Sequence, residues 1–406
     1  MRFHDNLMSL AESGVLVEKR VEDFLRLHPS KTLIRLDQKL MNMPLPSAVP
    51  EAMKSAVDET VSPYGRTLES PRTGYDFLKK ALADRYAGYG VQVFPEEVFI
   101  TAGLESAYDA LSSLFASEND VLLPDPCRRA LLYSQRYAGR GIAFLRATPD
   151  NDFSPAPPEN RADLIFLASP DPVTGVPMTR ARAEEWVRFA MMHHSLIFFD
   201  ASLSFYVEEG EGIRSIYEIP DARECAIELF SFEHGFGVRE LKIASCVIPT
   251  TLARQDQNLA GLFSMHRRFA ASPPSFVFQK AAQTLLSDAA KEELDTILHR
   301  IKKVAVTLSD GLTAAGIPNV GGRCAPYLWA QCPPELNAWQ TFDYLMENAG
   351  LVVTPGSMFG VGGERYFRLT AFGLPEEAQT AGALLAVAME KYRKEKETAF
   401  DAQGEI

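Results

Sequence analysis

The sequence lacks most of the features that would place it at a glance. None of its five cysteines forms a CxxC pair: Cys127, Cys225, Cys246, Cys324 and Cys332 are scattered and odd in number. That spacing excludes a disulfide frame and a cysteine-held zinc site, and reduced, partly buried thiols are expected instead. No run of about 18 apolar residues occurs, the length a membrane-spanning helix needs. The most apolar segment, SLIFFDASLSFYV, is broken by Asp200. The N-terminal stretch MRFHDNLMSLAESGVLVEK mixes charges into its apolar positions, where a signal peptide has an unbroken apolar core, so a cytoplasmic protein is expected. There is no basic block either. Lys and Arg number 41 against 53 Asp and Glu, a net charge of −12, which argues against a nucleic-acid partner or an anionic membrane surface.

What is present is an ordinary globular composition, 46% hydrophobic and 23% charged, without low-complexity tracts or internal repeats. A chain of 406 residues fits about two domains of roughly 100 to 200 residues each. Through its middle, short β-rich runs (EEVFI, DVLLPD, ADLIFLAS, SLIFFDAS, CAIELFSF and IASCVIP) alternate with helical stretches such as SAYDALSSLFA and RARAEEWVRFAMMHH. Such alternation predicts βαβ units and a mostly parallel sheet covered by helices. Ligands of such sheets bind at the carboxyl ends of strands, where Asp200 and the turn SFEHGFGVRELKIAS (231–245) fall. A long periodic helix, KEELDTILHRIKKVAVTLSDGLTAAG, stops at Gly316. APYLWAQC, AWQTFDYLMENAG, LVVTPGS and YFRLTAFG then read as a separate α+β unit. The expected division is an N-terminal arm, 1–45, packing on the small domain; a large domain, 46–290; and a small C-terminal domain, 291–406.

Nine motifs in one order, MPLPSAVPEAMKSAVDE, GYDFLKKALA, PEEVFITAG, DPVTG, FFDAS, IYEI with AIELFSF, APYLWA, TPGSMFG and YFRLTAFG, carry a resemblance to the class I/II aminotransferases of pyridoxal-phosphate fold type I. The chain is most similar to the LL-diaminopimelate aminotransferases within them. The resemblance implies an α/β fold with a large domain on a mostly parallel sheet of the seven-stranded type, a smaller C-terminal α/β domain, and a homodimer whose subunits share the site.

In the family, the turn reads like SFSKTxGxxGxRLGY, and its lysine forms an imine with the cofactor. Laid on SFEHGFGVRELKIAS without a gap, it puts His234 at that lysine and Lys242 at the phosphate-clamping arginine. Imidazole forms no such imine, and using Lys242 would break the match of both flanking strands. Other contacts change too. Pro172 of SPDPVTG stands for an asparagine that bonds the cofactor's phenolic oxygen, and proline has no side-chain donor. Leu203 replaces the tyrosine sharing that oxygen, Arg128 of DPCRR the ring-stacking aromatic, and Glu69 a partner-subunit tyrosine that reaches the phosphate. Retained are Asp200, which the family uses on the pyridine nitrogen; Gly103 at a helix start able to hold an anion; Ser231; Lys242; and Arg368, which in the family grips the substrate α-carboxylate.

Each residue also has a plainer role. His234 can be a base, a ligand-binding group or a polar filler beside Asp200, and Asp200 a structural partner of His234 or of backbone amides. Arg368 can be an ion pair with Glu69 or Glu233, Arg128 and Glu69 can plug a cavity, and Gly103 can serve a turn. The resulting expectation is a degenerate aminotransferase homologue without covalently bound cofactor, serving as a binding or regulatory subunit or in cofactor-independent chemistry on an amino-acid-like or carboxylate ligand. Two alternatives stay open. One is an enzyme that uses non-covalent pyridoxal or pyridoxamine phosphate with His234 as base, as aminosugar-processing members of the fold with histidine at this position do. The other is a weak aminotransferase. No hetero-partner is named by the sequence, though pairing with an active paralogue stays open.

Overall fold

The computed structural model describes residues 15–38, 44–61, 71–238, 241–270 and 274–404. By backbone contacts the chain forms two compact units. One gathers residues 40–172 and 176–299; the other gathers 1–39, 173–175 and 300–406.

The larger unit is organised by seven strands: β1 (Val98–Thr101), β2 (Val121–Asp125), β3 (Ile142–Arg146), β4 (Leu164–Ala168), β5 (Leu196–Asp200), β6 (Ala226–Ser231) and β7 (Ala244–Val247). Their order across the sheet is β1-β7-β6-β5-β4-β2-β3. All neighbours run parallel except β7, which is antiparallel to both β1 and β6. The central strands are mostly apolar because both faces are covered. Along β5, Ile197 and Phe199 join one core with Leu167, Trp186 and Phe230. Leu196 and Phe198 join the other with Leu111, Phe166 and Leu229. A strand buried on two sides therefore shows a continuous apolar run in place of alternation. Edge strand β3 is mostly exposed.

Helix α1 (Leu104–Ser112) follows β1 directly, and α2 (Arg180–His193) precedes β5. α3 (Phe232–Phe236) is one short turn after β6.

In the second unit, β8 (Asn319–Gly321), β9 (Tyr327–Gln331), β10 (Thr354–Pro355) and β11 (Tyr366–Thr370) make an antiparallel sheet in the order β8-β9-β11-β10. Within this unit the N-terminal arm pairs Ile34–Arg35 in parallel with Leu351–Val352. Leu36 O also accepts the N–H of Thr370 at 2.7 Å. Gly175 sits at φ +75°, and a Cβ there would lie 2.4 Å from the carbonyl oxygen of Tyr327, so only glycine lets this loop touch β9. The long helix α4 runs Asp288–Ala314, and Gly316 at φ +75° follows its end.

All five cysteines are free and buried. Among the described residues no helix is long and apolar enough to cross a membrane, and no group of three or more His, Cys, Asp or Glu could hold a metal ion.

Candidate functional site

β5 and β6 are neighbours, and each ends on a polar residue. Asp200 closes β5 and is buried; its Oδ1 accepts the backbone N–H of Ser202 at 2.9 Å and the Ser202 hydroxyl. The Ser202 hydroxyl oxygen accepts the N–H of Ser231 at 3.0 Å. Ser231, at the end of β6, accepts the N–H of His234 at 3.3 Å and so caps α3. Asp200, Ser202, Ser231 and His234 thus form one hydrogen-bonded chain. It ties Asp200 to the loop that follows it, and Ser202 and Ser231 link Asp200 to the backbone N–H of His234.

Gly103, at φ +97°, turns the chain from β1 into α1. This is the left-handed region, open to glycine at little cost. A Cβ built there would meet Lys242 Cβ at 3.7 Å and Glu105 Oε2 at 3.8 Å. Lys242 is exposed, so its stem lies beside the helix start. Glu105 occupies the first turn of α1, curls back over Gly103 and draws on its own backbone N–H. Its Oε1 lies 3.8 Å from His234 Nε2, beyond hydrogen-bond length.

The imidazole of His234 is largely buried, and its Nε2 finds no hydrogen-bond partner. Burial first, then the Arg128 charge, lower the basicity of the ring, while Glu105 and Asp200 oppose them. His234 opposite, followed by the backbone N–H and Arg128, holds the Glu105 carboxyl well below the usual carboxylate range. At neutral pH the pair is a neutral imidazole beside an ionised carboxylate. Tyr108, one turn along α1 from Glu105, has its phenol raised by burial and by Asp200.

Arg128 is half-buried at the N-cap of the helix Arg129–Tyr137. Pro172 and Leu203 are buried. Glu69 lies outside the described residues.

Arg368 belongs to the other unit. On β11 it pairs across to Trp329 and Thr354. Its guanidinium carbon lies 4.6 Å from the Tyr327 ring centre and 4.5 Å from that of Phe359. The side chain is buried. Aromatic rings at these distances attract a guanidinium by cation–π contact and restrict its orientation.

The larger unit therefore brings together Asp200, Ser231, His234, Gly103, Lys242 and Arg128, and the other unit holds Arg368. Sequence reasoning missed Glu105. The signal for it was present in TAGLES, where an acid in the first turn follows the glycine turn, facing the helix's positive end.

Comparison with known proteins converges on one group. The family model for aminotransferase class I and II matches residues 38–383. An LL-diaminopimelate aminotransferase of Agathobacter rectalis is 33% identical over 92% of this chain and 96% of its own length. One from Prochlorococcus marinus is 34% identical over 88% of this chain and 91% of its own. Among solved structures, the L,L-diaminopimelate aminotransferase from Chlamydomonas reinhardtii superposes with a TM-score of 0.90 at 26% identity, covering 96% of this chain and 99% of that one. The Thermus thermophilus aspartate aminotransferase with maleate shares the fold at 21% identity and a TM-score of 0.82. With the family model spanning most of the chain and these relatives matching it nearly end to end, the protein belongs to the class I and II aminotransferases, with the fold-type-I architecture.

Proposed function

We propose that this protein is a pseudoenzyme of its family, which binds an amino-acid-like or carboxylate ligand and does not run transamination on covalently held pyridoxal phosphate, the family's usual cofactor. The observation that carries this reading is the turn after β6. Ser231 pairs with Ala244 across β6 and β7, so the turn is anchored at both ends by sheet register, and the side chain presented beside the Asp200 chain is His234. Imine formation needs a primary amine, and in the family the same lysine is also the base that moves the substrate's α-proton; an imidazole can supply only the second role. Lys242, the nearest lysine along the turn, is exposed and sits beside Gly103. Pro172 and Leu203 add no donor where the cofactor's phenolic oxygen would be held. Glu105 over Gly103 sets a carboxylate against a phosphate, a repulsion of about 4 kcal/mol at ~4 Å if the effective dielectric is near 20. The residues present do not fit the cofactor as the family holds it.

Identity of 33–34% to proteins named LL-diaminopimelate aminotransferase, over about nine-tenths of the chain, favours a second reading: a weak aminotransferase with non-covalent cofactor. One experiment separates the two. The protein is incubated with excess pyridoxal phosphate, reduced with borohydride and weighed intact, alongside a coupled transamination assay with LL-diaminopimelate. No adduct and no turnover are expected, and His234→Lys alone restores neither. A stoichiometric adduct on one lysine, with turnover lost when that lysine is replaced, overturns the proposal and points first to Lys242. Turnover without an adduct establishes the second reading.

A further inference from the structure

The start of α1 has the parts of an anion site. A glycine turn in the left-handed region leads into nine helical residues, whose first N–H groups have no acceptor within the helix. A largely buried imidazole with an unpartnered Nε2 faces that head, and the stem of Lys242 stands against Gly103. Yet the space already holds a negative group, because Glu105 turns one carboxylate oxygen over Gly103 and the other toward His234. We infer that Glu105 is a built-in anion that closes this cradle, so that the site refuses phosphate monoesters and accepts only unphosphorylated ligands. The inference rests on the proposed function and deepens it by naming what the site turns away.

Three features make the closure local. Glu105 reaches the cradle from within the same helical turn, so no partner or conformational change is required. Its side chain is 56% exposed, which leaves it unburdened by other packing and free to be exchanged without opening a core. His234 opposite, followed by the Glu105 backbone N–H and Arg128, favours the ionised form, so the carboxylate is negative at neutral pH.

The test uses the full chain and inorganic phosphate as the probe, with pyridoxal phosphate as a second titrant, read by calorimetry and by thermal shift. Wild type should show no saturable binding of phosphate. Glu105→Gln and Glu105→Ala should bind it, at least about tenfold more tightly than wild type, because a like charge next to the anion is gone. Glu105→Asp, which keeps the charge, should behave as wild type. Unchanged melting temperatures in the absence of titrant show that each variant folds. Saturable phosphate binding by wild type equal to that of the neutral variants overturns the inference, and so does a failure of both neutral variants to gain it. Neither result depends on the borohydride experiment. An adduct there defeats the proposed function, whereas an absent adduct with Glu105-independent titrations defeats only this inference.

Discussion

At the scale of single residues, Arg368 on β11 has its guanidinium carbon 4.6 Å from the Tyr327 ring centre and 4.5 Å from that of Phe359. Ring contacts at this distance restrict how a guanidinium turns, and a fixed orientation favours a bidentate carboxylate contact. If a small amino acid or dicarboxylate binds, Arg368→Ala should weaken it by at least ~2 kcal/mol, the loss expected when one side of a buried charged pair is removed. Calorimetric titration of wild type and variant checks this; equal affinities would make Arg368 a structural residue. The residue scale is also where the sequence was most and least legible. His234, Asp200 and Arg368 could be placed by motif because each sits at a fixed distance from a strand end. Glu105 was not found: TAGLES places an acid in the first turn after the glycine, but the rotamer that bends it back over Gly103 is not encoded by spacing.

At the scale of elements, strands β1, β2, β4, β5, β6 and β7 were readable because burial on both faces leaves them mostly apolar. β3, IAFLR, was not picked out: Ala143, Phe144 and Arg146 are exposed at the sheet edge, so its pattern resembles neither a buried strand nor clean alternation. Strand β6 also carries a polar residue that its apolar neighbours disguise. Glu228 is fully buried. Its Oε2 accepts the Ser215 hydroxyl at 2.7 Å and the Ile216 N–H at 2.8 Å, while Oε1 has no partner. Burial raises its carboxyl to about 7. Between its ordinary value of 4.5 and about 7, the folded chain keeps a proton that the unfolded chain has lost, so stability falls as pH rises through that window. The full effect, at most about 3 kcal/mol, is reached above it. Glu228→Gln keeps the acceptor and removes the charge. Melting temperatures of wild type and variant should be close at pH ~5, with the variant higher at pH ~8; a constant difference across that range would show that Glu228 does not titrate there.

At the scale of the molecule, the fold was legible in full outline because nine motifs fixed the order of elements. We propose that the chain is a homodimer through its larger unit, as family resemblance implies. Light scattering coupled to size exclusion should give about twice the chain mass of 45.0 kDa, and a monomer at micromolar concentration would sink the idea. The parallel pairing of Ile34–Arg35 with Leu351–Val352, and the hydrogen bond from Thr370 to Leu36, have a consequence for how the protein is made. The first strand to leave the ribosome is paired by a segment more than three hundred residues later. Residues 40–299 can collapse on their own sheet while synthesis continues, but the N-terminal arm must wait, unpaired, until nearly the whole message has been read. Its short, charged strand, just Ile and Arg, offers little edge for a wrong partner during that delay.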